Sequence, residues 1–318
     1  MKFIRMCESS LERLYLWRSW DISSEAFFTI CRCSKLKHLR VDAVNFDDRH
    51  MEALVSSAPD LGTLELWSCG RLTDAGAAYI RGFRKLRKLI LPHTRNLSTR
   101  ANCSLAGITS LQELRLSRTL LGRDLLRSMA DLTDLRVLEK VDDVDSRGFD
   151  IICTSFERLE SLSIGCRLLS DVDGKKLCNL KNLKKLELYS CQGLTDVTFT
   201  EGIRHLSLEK LSVAHCHRLT GLGIACIDTS GGPLRELMFY GCRMMRDPDL
   251  KGILRRGIFL RSVDVTYCRS LSDTWVEVLE NCCTRLERLV VASATVRKSS
   301  LEELSSHRPK VILIQHNG

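Results

Sequence analysis

The 318-residue sequence is poor in the residues that interrupt regular structure. It has five prolines, and no stretch rich in proline, glycine and serine separates one part of the chain from another. Length alone would suggest about two globular domains, but the absence of a linker favours one continuous architecture. No run of about 18 apolar residues is available to span a bilayer. The opening residues 1–5 become charged again before a signal-peptide apolar region could form. We therefore expect a soluble, unsecreted protein without a membrane partner.

The sequence also lacks the motifs of catalysis. It has no glycine-rich phosphate loop and no Gly-x-Ser-x-Gly elbow. The tripeptide His215-Cys216-His217 could be taken for a metal-ligand or catalytic group, but alternation along a strand would turn Cys216 away from its two neighbours. We predict a non-enzyme with no catalytic residue, no metal and no cofactor.

Fifteen cysteines could indicate a disulfide framework. Most of them lie inside apolar periodic segments, where a free thiol behaves as a small buried hydrophobe. This pattern predicts reduced cysteines and a cytosolic or nuclear protein. The sequons at Asn96 and Asn102 are then expected to carry no glycan.

A Leu-x-x-Leu-x-Leu pattern recurs along the whole chain. Eleven good copies begin at Leu11, Leu36, Leu61, Leu86, Leu111, Leu159, Leu183, Leu208, Leu234, Leu260 and Leu286. A twelfth copy, at Leu135 and Leu138, has Lys140 in the third apolar place, and a partial copy ends the chain through Val311 and Leu313. The copies are 24 to 26 residues apart, within the range of leucine-rich repeats. We predict a repeat array over residues 11–318, with residues 1–10 as its edge or the end of a preceding repeat.

Each repeat predicts a short strand followed by a helix. Strands of successive repeats are expected to pair into a parallel sheet on the concave face of a right-handed α/β horseshoe, with helices on the convex face. Helices are predicted from Asp74 to Ile80 and from Asp273 to Leu279, because Thr73 and Ser272 can cap their first N–H groups.

A cysteine recurs three residues after the last strand position of many repeats. It is found at Cys69, Cys191, Cys216, Cys242 and Cys268, with Thr94 and Thr119 in the same place elsewhere. A small side chain with a weak donor suits a turn whose backbone is buried. Because these cysteines lie in different repeats, without paired Cys-x-x-Cys spacing, we interpret them as structural rather than as metal ligands.

These repeats closely resemble the cysteine-containing subclass of leucine-rich repeats. The motif Leu61-x-x-Leu64-x-Leu66-x-x-Cys69-x-x-Leu72-Thr73-Asp74 carries the resemblance, and a second cysteine of the subclass is matched by Cys33 and Cys283. Such repeats are typical of F-box/leucine-rich-repeat proteins. The resemblance implies that the repeats hold a protein substrate for ubiquitination, while an F-box docks on a cullin adaptor.

No F-box-like segment of about 40 to 50 residues precedes the first repeat, because the pattern begins at Leu11. Either an F-box lies upstream in a longer product, or this form lacks one and does not dock on a ligase. The sequence leaves both readings open. An alternative function is an inhibitor or assembly scaffold that uses the same repeats without a ligase.

Two groups of aromatic residues are predicted to face outward from the strands. The first consists of Tyr15, Trp17 and Trp67, and the second of Tyr189, His215, Met238, Tyr240 and Tyr267, with Glu187 and Asp264 among them. Single exposed aromatics often have no partner, but the second group comes from four consecutive repeats. Because aromatic side chains anchor interfaces, we predict that both groups belong to a protein-binding surface on the concave face, and we favour the second.

The formal charge of +9 raises nucleic acid as another partner. The basic residues are scattered, and acidic residues interrupt them, as in a solvated face. The sequence therefore disfavours nucleic acid, whereas an acidic protein partner is compatible with the charge.

Overall fold

The structure is a computed structural model, and it describes residues 8–18, 22–93, 96–117, 123–227, 232–292 and 296–316. Residues 1–7, Thr94 and Thr119 lie outside the described residues, so the predictions made for them stay predictions. The same applies to the side chain of Asn102.

The chain divides into two compact units. The first unit is made of Met1–Asp143 and Arg147–Leu159, and the second of Val144–Ser146 and Glu160–Gly318. One strand followed by one helical segment is the building block of both units. The prediction that residues 11–318 form a single array stays a prediction.

The described residues of the first unit contain six strands, and those of the second contain seven. In the first unit they are β1 (Arg13–Leu16), β2 (His38–Asp42), β3 (Thr63–Trp67), β4 (Lys88–Pro92), β5 (Glu113–Ser117) and β6 (Val137–Val141). In the second they are β7 (Ser161–Gly165), β8 (Lys185–Tyr189), β9 (Lys210–Ala214), β10 (Glu236–Tyr240), β11 (Ser262–Asp264), β12 (Arg288–Ala292) and β13 (Ile312–His316). Within each unit every strand pairs in parallel with the next one along the chain.

Helical segments connect the strands. The α-helices among the described residues are α1 (Ser24–Cys31), α2 (Asp48–Ser57), α3 (Asp74–Tyr79), α4 (Thr99–Ala106), α5 (Arg123–Ser128), α6 (Ser146–Ser155), α7 (Asp171–Gly174), α8 (Gly221–Ala225), α9 (Asp247–Leu254), α10 (Val276–Cys282) and α11 (Lys298–His307). Short 3-10 turns at Ile80–Gly82, Lys175–Asn179 and Ile203–His205 and a π turn at Thr198–Gly202 complete the set. No helix in the described part of the chain combines the length and hydrophobicity that crossing a bilayer requires.

The leucine pattern fills the core. Leu64, Leu66, Leu186 and Leu188 are at most 1% exposed, as alternation along a strand predicts for its inward positions. The residues between them lie on the other side of the sheet, here called the sheet face. The predicted leucine-rich-repeat solenoid of α/β class is confirmed.

Two local expectations were wrong. Lys140 adopts φ 62° and is exposed, and the next residue, Val141, is buried in its place at 2% exposure. The left-handed backbone of Lys140 lets the chain shift by one residue, so the repeat recovers its third apolar position. Helix α10 begins at Val276 rather than at Asp273. The Ser272 carbonyl, which would accept the first hydrogen bond of a helix beginning at Asp273, accepts from the Trp275 indole at 2.8 Å instead.

Side-chain caps at the helix starts also connect successive repeats. The Thr73 hydroxyl accepts a hydrogen bond from the Ala75 amide, which confirms its predicted capping role. It donates in turn to the Asp48 carboxylate of the preceding repeat at 2.6 Å, and the Thr73 amide donates to the same carboxylate at 2.8 Å. Equivalent pairs join Asp74 to Ser98, Asp171 to Thr195, Asp196 to Thr220 and Asp247 to Ser272. An aspartate at the helix start thus links five of the described repeats to the next one.

The recurring cysteines are buried. Cys69, Cys191, Cys216, Cys242 and Cys268 are each at most 1% exposed, and their thiols donate to backbone carbonyls at 3.2 to 3.8 Å. Cys166, one residue nearer its strand, is equally buried, and its thiol donates to the Ile164 carbonyl at 3.6 Å. Burial raises the pKa of Cys69 to about 12.

Candidate protein-binding surface

Three aromatic side chains of the second unit contact one another on the sheet face. The His215 and Tyr240 rings are 5.0 Å apart at 84°, and the Tyr240 and Tyr267 rings are 5.0 Å apart at 76°. Both pairs have the edge-to-face geometry that aromatic rings favour. We call His215, Tyr240 and Tyr267 the aromatic ladder. It brings together three of the residues that the sequence predicted for this surface.

The ladder depends on backbone conformation just beyond the strands. In eight of the repeats that the structure describes, the residue two positions after the third apolar residue has a positive φ. These residues are Arg18, Ser68, His93, Asp143, Ser190, His215, Gly241 and Tyr267. This conformation carries the chain away from the sheet toward the buried cysteine. The His215 amide donates to the Tyr240 carbonyl at 2.7 Å, and the Gly241 amide donates to the Thr266 carbonyl at 2.9 Å. Successive repeats are therefore held together directly beneath the rings.

Gly241 leaves room for the His215 ring. A Cβ added to Gly241 would lie 2.7 Å from His215 Nδ1, closer than van der Waals contact allows. Non-glycine residues adopt the same backbone conformation at the equivalent positions, so the conformation alone does not require glycine here. The missing side chain allows His215 to reach Tyr240, and sequence reasoning did not identify this role.

The electrostatics of the ladder keep Tyr240 neutral. Desolvation raises the pKa of Tyr240, as do the neighbouring Tyr267 phenol and Asp264 carboxylate. The Asp264 carboxylate accepts hydrogen bonds from the Thr266 amide at 2.9 Å and the Thr266 hydroxyl at 2.6 Å. Tyr240 is 36% exposed and His215 is exposed, while Tyr267 is half-buried. The ladder thus offers ring surface together with the neutral hydroxyl group of Tyr240.

The other predicted residues of this group share the sheet face but lie outside the ladder. Tyr189 ends β8, Met238 lies in the middle of β10, and both are half-buried. Glu187 accepts a hydrogen bond from the Ser163 hydroxyl at 2.8 Å. This carboxylate therefore serves the packing of neighbouring strands.

The first predicted aromatic group is organised by an arginine. The Arg40 guanidinium lies 3.5 Å from the centre of the Trp17 ring and 4.6 Å from the centre of the Trp67 ring, within the range of cation–π attraction. Tyr15 is 53% exposed and pairs in register with Arg40. The structure places Trp17 and Trp67 around one cation, a role for Arg40 that the sequence did not indicate.

Charged residues on the sheet face of the first unit neutralise one another. Glu65 contacts Arg40 at 3.3 Å and Lys88 at 3.1 Å. The chain of ion pairs continues from Lys88 to Glu113, from Glu113 to Arg115 at 2.7 Å, and from Arg115 to Glu139 at 3.1 Å. Much of the basic charge in these strands is therefore already balanced by the protein itself.

The described residues contain no group of three or more His, Cys, Asp or Glu side chains placed to hold a metal ion. In His215-Cys216-His217, Cys216 is 1% exposed while both histidines are exposed, as strand alternation predicted. A hydrogen bond with Cys191, followed by burial, raises the pKa of Cys216, which disfavours the thiolate that metal ions bind.

No known family model matches the chain. A Trypanosoma equiperdum protein described as a candidate adenylate cyclase regulator is 30% identical over 236 residues, covering 66% of this chain and 36% of that protein. A Caenorhabditis elegans protein described as a candidate RNA-binding protein is 26% identical over 192 residues, covering 59% of this chain and 23% of that protein. The chain therefore spans well under half the length of these relatives.

Solved structures share the fold. A chain of the yeast Rad7–Elc1 complex has a TM-score of 0.72 at 21% identity, over 88% of this chain and 75% of that one. The internalin InlF of Listeria monocytogenes gives 0.51 at 16% identity, over 99% of this chain and 89% of that one. A leucine-rich-repeat protein of Leptospira interrogans has a TM-score of 0.50 at 14% identity, over 98% of this chain and 86% of that one. At these identities the likeness shows the leucine-rich-repeat fold alone.

Proposed function

We propose that this chain is a non-enzymatic protein-binding scaffold that captures a protein partner on the sheet face of the second unit. The single observation that supports the proposal is the aromatic ladder of His215, Tyr240 and Tyr267. Its rings contact each other on an exposed face rather than filling the core. Tyrosine anchors of this kind supply a large share of the binding energy in protein interfaces.

The ladder is also ordered in advance of binding. Each ring already rests against its neighbour, so a partner that covers the rings has to restrict few side-chain rotations. The sheet face has room for a macromolecule, since seven parallel strands about 4.8 Å apart extend over roughly 30 Å. A protein surface or an extended peptide fits these dimensions better than a small metabolite does.

We further propose that the repeats are the substrate-recognition part of an SCF-type ubiquitin ligase. The resemblance of the cysteine-containing repeats to F-box/leucine-rich-repeat proteins supports this role. A structural neighbour comes from a complex with a second protein, Elc1, which supports a role within an assembly. A cytosolic or nuclear location would follow, and cullin-adaptor binding would require an F-box upstream. The alternative is an inhibitor or assembly scaffold that works without a ligase.

Site-specific photo-crosslinking tests the binding surface. A benzophenone amino acid is introduced at Tyr240, Tyr267 or Met238, and at the exposed helix-side positions Val172 and Leu222 as matched controls. We expect the three sheet-face positions to crosslink to the same protein and the two controls to leave it unlabelled. Crosslinks to that protein from the controls alone would refute the proposed surface.

Co-purification separates the ligase from the independent scaffold. The full-length product expressed in its own cells is isolated under conditions that preserve complexes, and the cullin adaptor is quantified against the crosslinked partner. A near-stoichiometric adaptor together with ubiquitination of the partner supports the ligase. A partner recovered without adaptor supports the alternative.

A further inference from the structure

Arginine side chains line the edge of the second unit beside the aromatic ladder. Arg218, Arg243 and Arg269 follow the buried cysteines of three successive repeats, and all three are exposed. We call them the arginine edge. Arg243 and Arg269 directly follow their cysteines, and His217 has the same place after Cys216. Arg167 has this place after Cys166, two repeats before His217.

The arginine edge is continuous with the ladder. The His217 ring lies 6.1 Å from the His215 ring, which in turn contacts Tyr240. The Ser270 hydroxyl donates to the Arg243 carbonyl at 2.5 Å, so the loops that carry Arg243 and Arg269 stack directly on each other. A segment lying over the ladder would therefore pass within reach of these guanidinium groups.

None of the three guanidinium groups forms an ion pair with a residue that the structure describes. The nearby acidic groups are already hydrogen-bonded by the protein. Asp247 accepts from Ser272 and Thr274, and Asp264 accepts from Thr266. This arrangement contrasts with the sheet face of the first unit, where Arg40, Lys88 and Arg115 all contact glutamates. The three guanidinium groups of the arginine edge are thus available to pair with the carboxylates of a partner.

We infer that the partner segment captured by the aromatic ladder is an acidic peptide, with apolar or aromatic residues over the rings and carboxylates on the arginine edge. This inference rests on the proposed function, for which it names the partner chemistry. Guanidinium groups bind carboxylates through paired, charge-assisted hydrogen bonds. Arg243 and Arg269 occupy equivalent positions of successive repeats, about 5 Å apart, and Arg218 lies in the repeat before them. This row matches carboxylates spaced along an extended chain.

The same charges favour a peptide over a nucleic acid. Glu187 and Asp264 share the sheet face with the ladder, and their hydrogen bonds to neutral donors leave their negative charge in place. A phosphate backbone running across the strands would meet these carboxylates. A nucleic acid carries a negative charge at every nucleotide, whereas a peptide can carry acidic residues only where it passes the arginine edge.

Selection from a displayed library of random 12-residue peptides tests the inference on the intact chain. We expect the enriched peptides to carry net negative charge and to bind more weakly as salt concentration rises. Their affinity should fall about tenfold or more for Arg243→Gln/Arg269→Gln. It should stay within about twofold for Lys181→Gln/Arg255→Gln, which removes the same charge from exposed positions away from this edge. Neutral or basic enriched peptides would overturn the inference.

The outcomes separate this inference from the proposed function. Peptides that bind Tyr240→Ala poorly but tolerate Arg243→Gln/Arg269→Gln would refute the acidic partner and leave the sheet-face site standing. Peptides indifferent to both variants, or a library that yields no binder, would count against both. In a final experiment, a 12-nucleotide single-stranded RNA competes with the enriched peptides for binding to the chain. Displacement of the peptides by RNA at lower concentration than by unlabelled peptide would favour nucleic acid and overturn the inference.

Discussion

The imidazole of His215 lies over Gly241, in space that a side chain at position 241 would fill. A Cβ there would come within 2.7 Å of His215 Nδ1 and 3.0 Å of its Cε1. One glycine in the loop of one repeat therefore sets the position of an aromatic ring that belongs to the preceding repeat.

Substituting Gly241 by alanine is expected to disrupt the aromatic ladder. The new Cβ would displace the His215 ring, and the positive φ of Gly241 adds a cost of about 1 kcal/mol for a residue with a side chain. Urea unfolding of Gly241→Ala, His215→Ala and the double variant measures the interaction between the two sites. We expect Gly241→Ala to lower the free energy of unfolding clearly less when position 215 is already alanine. Gly252→Ala is the control, because no atom lies within 4 Å of its added Cβ. If Gly241→Ala lowers the free energy of unfolding equally with and without the His215 side chain, the ring is unaffected and the expectation is wrong.

The recurring cysteines are expected to resist alkylation in the native protein. Cys69, Cys191, Cys216, Cys242 and Cys268 are each at most 1% exposed, so iodoacetamide reaches their sulfur atoms only after local opening. Burial also raises the pKa of Cys69 to about 12, so this thiol holds very little thiolate at pH 8. The half-buried Cys178, Cys226 and Cys282 serve as internal references that should react first. Mass spectrometry after timed iodoacetamide treatment gives the order of labelling. Fast labelling of all five buried cysteines, or stoichiometric zinc in the purified protein, would contradict the structural role.

The aspartates that link the helix starts are expected to make stability depend on acid pH. Burial alone would raise the pKa of Asp171, but hydrogen bonds from Thr195 and Thr198 outweigh it and hold the pKa below its usual value. Because the folded pKa is depressed, the stabilisation is present above the unfolded value of about 3.9 and is lost as pH falls through the folded pKa.

Asp171→Asn tests this linkage. At pH 7 the variant should be about 1 to 2 kcal/mol less stable than the wild type, and the difference should shrink below about pH 4 as the wild-type carboxylate becomes protonated. Thermal unfolding monitored by circular dichroism between pH 7 and pH 3 measures both quantities. A difference that does not change with pH would show that the charge of Asp171 plays no part.

Residues 135–150 are expected to be the least protected stretch against hydrogen exchange. Lys140 and Asp143 both have positive φ, and the boundary between the two compact units falls within the acidic run Asp142-Asp143-Val144-Asp145. Local opening needs less free energy where the repeat pattern is interrupted. Hydrogen exchange followed by mass spectrometry should show faster uptake there than in β5 or β8. Uniform protection across these strands would contradict the expectation.

The sequence predicted most of the fold because one apolar pattern decides each strand. Leu61, Leu64 and Leu66 specify which side of β3 faces the core, and every good copy repeats that choice. The capping role of Thr73 was also readable, since its effect is local. The burial of Val141 in place of Lys140 could not be predicted, because it depends on a backbone angle that the apolar pattern does not encode.

The candidate site was predicted only in part. The sequence pattern placed His215, Tyr240 and Tyr267 on one face. The positive φ of His215 and Tyr267 and the missing side chain of Gly241, on which the contacts between the rings depend, could not be read from it. The role of Asp48 and its counterparts was missed because the partner lies about 25 residues away, in the next repeat. A search for a Thr-Asp or Ser-Asp pair that recurs at the repeat length could have found it.

The most direct test of the account is the affinity of the crosslinked partner for Tyr240→Ala and Tyr267→Ala, measured beside their thermal stability. Removing either ring of the sheet face should weaken binding by about 1 to 4 kcal/mol while costing little stability. Leu237→Asn and Val265→Asn should instead unfold their repeats, because both side chains are at most 2% exposed. Unchanged affinity for both tyrosine variants, with binding abolished by helix-side substitutions such as Leu222→Ala, would contradict the account.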